Sequence, residues 1–307
     1  MTSIKNLSII RYSILLAVLL VIAGTRQASA QLTGLEAMYF QDQYLANPAM
    51  AGLEKGLNLN MGYQSQWTTI PGGPKLEDFT GDYNSGNRVG LGFIINSDQS
   101  GLIDLTRIVG TYAYHLPLSE TSKLNFGVSF GLNDSYIDYS KVQGDQGDVS
   151  VQLFNERRIY MDGDLGIAYT SKGLNIQAAL PNLGSVLFNT QNENLDADRS
   201  TFYTAASYII TVSNYSTDFT VEPKVAFRGI SGFQNIMDVG ANFAMAEYNF
   251  NVSGIYHTNQ SATVGVGFDL KPVGFLFSYT NNTGPLKAYA NNTFEFGLKY
   301  AIVDVNK

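Results

Sequence analysis

From about residue 57 to residue 303 apolar side chains return at every second position, and beyond residue 30 purely apolar runs last only a few residues. A period of two separates the faces of an extended strand, so this pattern writes β-structure across most of the chain. In Lys123 to Gly131, Leu124, Phe126, Val128 and Phe130 share one face, while Asn125, Gly127, Ser129 and Gly131 share the other. The split recurs where Val89, Leu91, Phe93 and Ile95 oppose Arg88, Gly90 and Gly92, and where Val264, Val266, Phe268 and Leu270 oppose Thr263, Gly265, Gly267 and Asp269. In the last segment Phe294, Phe296, Leu298 and Tyr300 oppose Glu295, Gly297 and Lys299. A soluble sandwich also alternates, but its solvated face carries many charges, and only 15% of this chain is charged. A polar face of Gly, Ser and Asn suits a barrel lumen. Without a hydrophobic helical span, a membrane protein must close a barrel, because hydrocarbon leaves open sheet edges unsatisfied.

The alternation predicts 14 strands, over residues 57–67, 76–84, 87–96, 105–116, 123–137, 159–170, 173–181, 201–212, 217–228, 235–246, 248–257, 261–270, 273–282 and 292–303. Lengths of about 9 to 12 residues suit tilted crossings of hydrocarbon. Every second connection is short: Ser85-Gly86, Pro117 to Ser122, Ser171-Lys172, Ser213 to Ser216, Glu247 and Lys271-Pro272. The intervening ones are expected to be longer, among them Asp138 to Arg158, Asn182 to Ser200 and Asn281 to Asn291. Bacterial barrels keep short turns in the periplasm, so an even strand number places both termini there. The expected organisation is therefore an all-β transmembrane antiparallel barrel over 56–303 and a tail at 304–307. Residues 31–55 precede it as an irregular periplasmic segment or lumen plug.

The chain begins with Lys5, Arg11, the apolar run Ser13 to Gly24 and Ala28-Ser29-Ala30, the layout of a secretory signal peptide over residues 1–30. Export followed by residence in the outer membrane is the expected localisation. There is no Cys, which removes a lipoprotein anchor, disulfides and thiol chemistry. Removing Lys5, Arg11 and Arg26 takes the formal charge from −7 to −10, and an acidic chain of this kind lacks the basic patch that nucleic-acid binding requires. With 19 Tyr and 18 Phe, rings are available for interfacial girdles. The chain ends in Val305-Asn306-Lys307 rather than on an aromatic residue, although Phe294, Phe296 and Tyr300 give the last strand its apolar face.

Little in the sequence supports catalysis. The two histidines, His115 and His257, fall near strand ends and read as interfacial or lumen side chains. An outer-membrane hydrolase built on one of them with Ser and Asn or Asp is the sharper alternative, and no GxSxG element supports it. Asp162 and Asp164 share a strand face, the minimum for holding a cation, and Gly144 to Asp148 (GDQGD) lacks the ligand spacing of a calcium loop. Both read as solvated lumen or loop groups, so no catalytic, cofactor or metal residue is expected. The pairs Gly90/Gly92 and Gly265/Gly267 precede no helix and fit wall packing rather than a nucleotide loop. Gln64, Gln66 and Trp67, just before Pro71-Gly72-Gly73-Pro74, form the most informative local segment, with the single Trp read as a girdle residue.

Several short segments together resemble a known family. Tyr44-Leu45-Ala46-Asn47-Pro48-Ala49-Met50-Ala51-Gly52 resembles the NPAxAG signature of PorP/SprF proteins of the type IX secretion and gliding machinery. Tyr63-Gln64-Ser65-Gln66-Trp67 with Ile70-Pro71-Gly72 is similar to their YRxQW element, and Arg88 to Phe93 and Tyr112-Ala113-Tyr114-His115-Leu116 to their GLG and YAYxL segments. Gln64 stands where that family carries Arg, so a charge there is not implied. The resemblance implies a non-enzymatic outer-membrane barrel without cofactors. Its partners would be other secretion-system proteins, outer-membrane lipid and a secreted adhesin-like cargo, and its role would be to anchor periplasmic apparatus or secure surface delivery. Candidate partner-binding residues are Asn47, Pro48, Ala49, Gly52, Tyr63, Gln66 and Trp67. A channel for hydrophobic or small solutes, similar to fatty-acid channels with an N-terminal plug, is the alternative.

Overall fold

The computed structural model describes residues 38–302 apart from 69–71, 87, 140–148, 157–158, 185–199, 214–217, 231–233 and 284–291. The expected leader, the Gly144 to Asp148 stretch and the tail at 304–307 lie outside the described residues. The wall segments are β1 (Leu57–Ser65), β2 (Lys75–Asn84), β3 (Val89–Ser100), β4 (Ile103–Pro117), β5 (Ser122–Ile137), β6 (Ile159–Ser171), β7 (Leu174–Leu180), β8 (Ser200–Tyr208), β9 (Ile210–Ser213), β10 (Asp218–Ile230), β11 (Ile236–Met245), β12 (Phe250–His257), β13 (Ser261–Leu270), β14 (Val273–Asn282) and β15 (Thr293–Ile302). β8 and β9 are two pieces of one wall strand, parted at Ile209 and both paired with β10. Every pairing is antiparallel between neighbours, and β15 returns to β1 with Leu57 opposite Ile302 and Ser65 opposite Phe294. The 15 segments thus close a barrel of fourteen strands, the expected fold class.

The barrel is inside-out relative to a soluble protein. Phe130 is 63% exposed and Met161 67%, whereas Asn125, on the opposite face of β5 from Phe130, is fully buried and Glu295 is 2% exposed. Apolar burial against lipid and a hydrogen-bonded polar lumen are what a two-residue period delivers in a closed membrane sheet. Ring pairs such as Phe250–Phe268 and Phe277–Phe294 cross neighbouring strands on the outside.

The loop alternation is less regular than expected. β3 and β4 meet through Gly101-Leu102 alone, because both strands run past their expected ends until Ser100 pairs with Ile103. Gly101 takes a positive φ of 64°, which suits so tight a hairpin. β12 and β13 are likewise joined only by Thr258 to Gln260. With 12, 15 and 16 residues, β3, β4 and β5 exceed the roughly 9 to 11 that span a membrane, so they project on the long-loop side. By the rule for outer-membrane barrels, that side is external and the opposite end faces the periplasm.

Residues 38–56 lie within the wall. They comprise a helical turn, α1 (Met38–Gln41), and a 3-10 turn over Pro48–Met50, before Gly56 leads into β1 at the periplasmic end. A second helix, α2 (Val149–Glu156), sits beside the projecting part of β5. There Asn155 accepts from Ile137 N at 2.8 Å and donates to Ile137 O at 3.0 Å, as a neighbouring strand would.

Candidate functional site

The luminal segment is stitched to the wall from β2 round to β10, and again at β15. At its start Met38 N donates to Glu295 Oε1 at 3.0 Å, and the Met38 side chain lies against Gly297. Lys224 of β10 donates to the Tyr39 carbonyl, while the Tyr39 ring leans on Tyr203 of β8 at 5.5 Å. Asp42 organises the following turn. Its carboxylate accepts from Tyr44 N at 3.1 Å, Leu45 N at 3.3 Å and Thr80 Oγ1 at 2.5 Å. Burial pushes its carboxyl above the ordinary range, and the hydrogen bond from Thr80 opposes that rise. Gln43 accepts from Asn175 and Gln177 of β7 at 2.5 and 2.6 Å. The Tyr44 ring covers Gly92, and its hydroxyl, pushed up by burial, donates to Thr111 Oγ1 at 2.6 Å.

The Asn47 to Gly52 motif forms the tightest part of this contact. Asn47 caps the 3-10 turn, its Oδ1 accepting from Ala49 N at 3.0 Å, and Pro48 at the first position needs no donor. The Asn47 Nδ2 reaches the β6 carbonyl of Ile167 at 3.2 Å and Gln177 Oε1 at 3.4 Å. Small residues let two backbones meet. A Cβ on Gly127 would come within 2.2 Å of the Pro48 carbonyl carbon, and one on Gly90 within 1.9 Å of the Ala51 oxygen. That oxygen lies 3.1 Å from His115 Nε2, whose Nδ1 lies 2.9 Å from Asn125 Oδ1. Gly52, at φ 67°, donates to Asp82 Oδ2 at 2.9 Å and accepts from Asn84 at 2.7 Å. Only a glycine fits there, because a Cβ would meet Tyr83 O at 2.7 Å in a backbone conformation L residues avoid.

The candidate residues therefore separate into two groups. Asn47, Pro48, Ala49 and Gly52 are buried within the barrel against its wall, and none presents a surface in this conformation. Tyr63, Gln66 and Trp67 lie at or just past the external end of β1. Tyr63 faces outward, Gln66 is buried and donates to Gln64 Oε1 at 2.6 Å, and Trp67 is half-buried with a φ of 50°. Gln64 Nε2 donates to Glu295 Oε2 at 3.5 Å. Of the two strand-face carboxylates, Asp164 pairs with Arg107 at 2.6 Å, and Asp162 accepts from Gly184 N at 2.8 Å. Both are engaged by protein donors, and the described residues contain no cluster of three or more ligating side chains.

Sequence reasoning did not single out Glu295, Asp42 or Gln43. Their only signal is position, as polar residues on lumen faces or in the irregular segment before β1. Nor did it find the cavity of about 420 Å³ at the periplasmic mouth. Phe40, Tyr44, Met50 and Leu53 of the luminal segment form one side, and Asn58, Asn60, Leu174, Asn175 and Ile209 contribute from the wall. Glu120, Lys123 and the Glu54–Lys299 ion pair, 2.8 Å apart, also border it.

A closed antiparallel barrel with a lipid-facing apolar surface, a polar lumen and an N-terminal segment folded into that lumen is an outer-membrane β-barrel protein. The model of the type IX secretion system membrane protein PorP/SprF family matches residues 28–300, and the chain belongs to that family. Among curated proteins no sequence matches. Similar solved structures include the toluene transporter TbuX of Ralstonia pickettii (14% identity, 91% of this chain and 96% of that one, TM-score 0.47). Omp33 of Acinetobacter baumannii aligns at 8% identity over 82% of this chain and all of that one, TM-score 0.45. The CymD monoaromatic hydrocarbon channel aligns at 11% identity over 90% and 95%, TM-score 0.41.

Proposed function

We propose that this protein is a non-catalytic scaffold of the type IX machinery. It anchors periplasmic apparatus to the outer membrane or secures surface delivery and attachment of a secreted adhesin-like cargo. The observation that carries this reading is the stitched lumen. A segment held by Glu295, Lys224, Thr80, Gln177, Thr111, Ile167, His115 and Asp82 belongs to the architecture of the barrel. Its periplasmic end and the external rim at Trp67 are then the surfaces left for partners, with Gln66 buried beneath that rim, and Asn47 to Gly52 act on them by fixing the segment's position.

One lumen network has the order of a hydrolytic relay. Asp238 Oδ1 lies 2.7 Å from His257 Nδ1, and His257 Nε2 lies 2.8 Å from Thr263 Oγ1. Thr263 is 1% exposed and its hydroxyl is shared with Thr280 at 2.6 Å, while Asp238 is also held by Arg228 at 2.8 Å. A nucleophile needs room for a substrate carbonyl about 3 Å away, and none is left here. This network supports a wall-stabilising role.

The test is deletion of the gene. Surface display of one cargo is expected to disappear while small-solute uptake stays unchanged. Intact display with impaired uptake would remove the scaffold reading in favour of a channel.

A further inference from the structure

We propose that the luminal segment runs from the external mouth down to the periplasmic end, so that the chain ahead of Met38 leaves the barrel outward and presents the processed N-terminus at the cell surface beside Trp67. The strand register gives each luminal contact a height. Met38 N donates to Glu295, the third residue from the external start of β15, which pairs with Gln64, the last but one of β1. The Tyr39 ring meets Tyr203, fourth from the external start of β8. Asp42 is bonded to Thr80 in the middle of β2. Tyr44 reaches Thr111, whose partner Gly92 is fourth from the periplasmic start of β3. The Ala51 carbonyl meets His115, third from the periplasmic end of β4, and Gly52 accepts from Asn84, the last residue of β2. Sequence order and height agree at every step, so the segment descends toward β1. At its top, Met38, Glu295, Gln64 and Gln66 form one hydrogen-bonded chain that ends at the residue before Trp67.

Chain length selects the way out. Processing after Ala30 leaves residues 31–37, seven in all, ahead of Met38. Seven residues span roughly 23 to 25 Å when fully extended. From Glu295 the external end of β15 is two residues away, about 7 Å along the strand. The periplasmic end of β15 is seven residues away, about 24 Å along the strand and about 18 Å along the barrel axis at a tilt near 40°. An inward return would consume most of the available length. It would also run beside a segment whose Asn47, Ala49 and Ala51 are already fully buried. An outward exit needs only about two or three residues. The even strand number places the start of β1 in the periplasm, and it places nothing that precedes Met38. A surface partner therefore meets a chain end as well as the loops. The same topology would hold for a scaffold or a channel, so its failure leaves the scaffold reading untouched.

The chain has no Cys, so one introduced thiol reports its own side of the membrane. The test expresses the full chain, with its leader, as Thr33→Cys or Glu36→Cys and treats intact cells with a membrane-impermeant PEG-maleimide, read as a gel shift. Leu102→Cys in the exposed β3–β4 hairpin is the external standard, and Lys172→Cys between β6 and β7 is the periplasmic one. Thr33→Cys and Glu36→Cys should shift in intact cells to the same extent as Leu102→Cys, while Lys172→Cys shifts only once the outer membrane is permeabilised. Heat-modifiable gel mobility reports folding of each variant, and the mass of the mature chain gives the processing site; should that site fall past residue 33, Glu36→Cys carries the test. Labelling of both thiols only after permeabilisation would put the N-terminus in the periplasm and overturn the proposal. Labelling only after denaturation, or processing that removes residue 36, would overturn it as well.

Discussion

Replacing Gly127 by Ala should release the luminal segment while leaving the wall intact. The new methyl would point into the lumen and meet Pro48 C at 2.2 Å, Ala49 N at 2.3 Å and Pro48 O at 2.4 Å. All three are backbone atoms, and ordinary carbon contacts need roughly 3.5 to 4.0 Å, so the 3-10 turn must retreat by about 1 Å or more. Overpacking of this kind costs about 1 to 3 kcal/mol. The retreat also stretches the Asn47 bonds to Ile167 O and Gln177 Oε1, now 3.2 and 3.4 Å, at about 1 kcal/mol each. The total of about 3 to 5 kcal/mol is at least about a hundredfold shift toward the detached segment, since 1.4 kcal/mol is about tenfold. Hydrogen exchange on the reconstituted protein should therefore show residues 44–53 exchanging at least about a hundredfold faster, with β4, β5 and β6 unchanged. Unaltered exchange in that peptide would refute the stitched-lumen argument. Equal acceleration throughout the wall would show instead that the segment and barrel are one cooperative unit.

Other expectations follow from the same contacts. Gln64→Arg should be tolerated and raise the denaturant midpoint, because the guanidinium would reach Glu295, whereas Glu295→Leu should lower it by removing the acceptor of Met38 N and Gln64; equal midpoints for the two variants would refute this. Arg228→Leu leaves Asp238 buried with only His257 beside it, and breaking such a pair costs about 3 to 5 kcal/mol, readable in urea unfolding. Asp42→Asn can keep the bonds to Tyr44 N and Thr80 while removing a buried charge. The folded carboxyl holds its proton above the ordinary 3.8, so wild-type stability falls as pH rises through the interval above that value. The variant's advantage should grow with pH over that interval and then level off, and a pH-independent difference would refute the assignment.

How much of this could be read from residues alone is clearest at particular positions. Phe126 and Asn125 are neighbours in sequence, and the two-residue period assigns one outward and the other inward without knowledge of the partners of either. The same period gives the fourteen crossings and the lipid-facing band, because a closed sheet in hydrocarbon admits one arrangement of faces. It does not fix where β3 and β4 end: Ser97 to Ser100 and Ile103-Asp104 mix polar and apolar residues, and only their mutual pairing carries the hairpin to Gly101.

The family motifs mark a different boundary between sequence and structure. Asn47-Pro48-Ala49, Gly90 and His115 were legible within segments that resemble PorP/SprF proteins, and Gly127 as a polar-face glycine of its strand. That they meet each other is a tertiary fact. Gly127 lies 79 positions from Pro48, and nothing local in either segment records the contact. Lumen-facing residues are hydrogen-bonded in pairs across such separations, and pairing of this kind leaves no periodic trace. The sequence by itself determined a membrane barrel and its inside-out faces, since lipid imposes a repeating rule on every strand. Only the tertiary structure decided what fills the lumen and in which direction that segment runs, since those depend on which distant side chains the closed wall brings together.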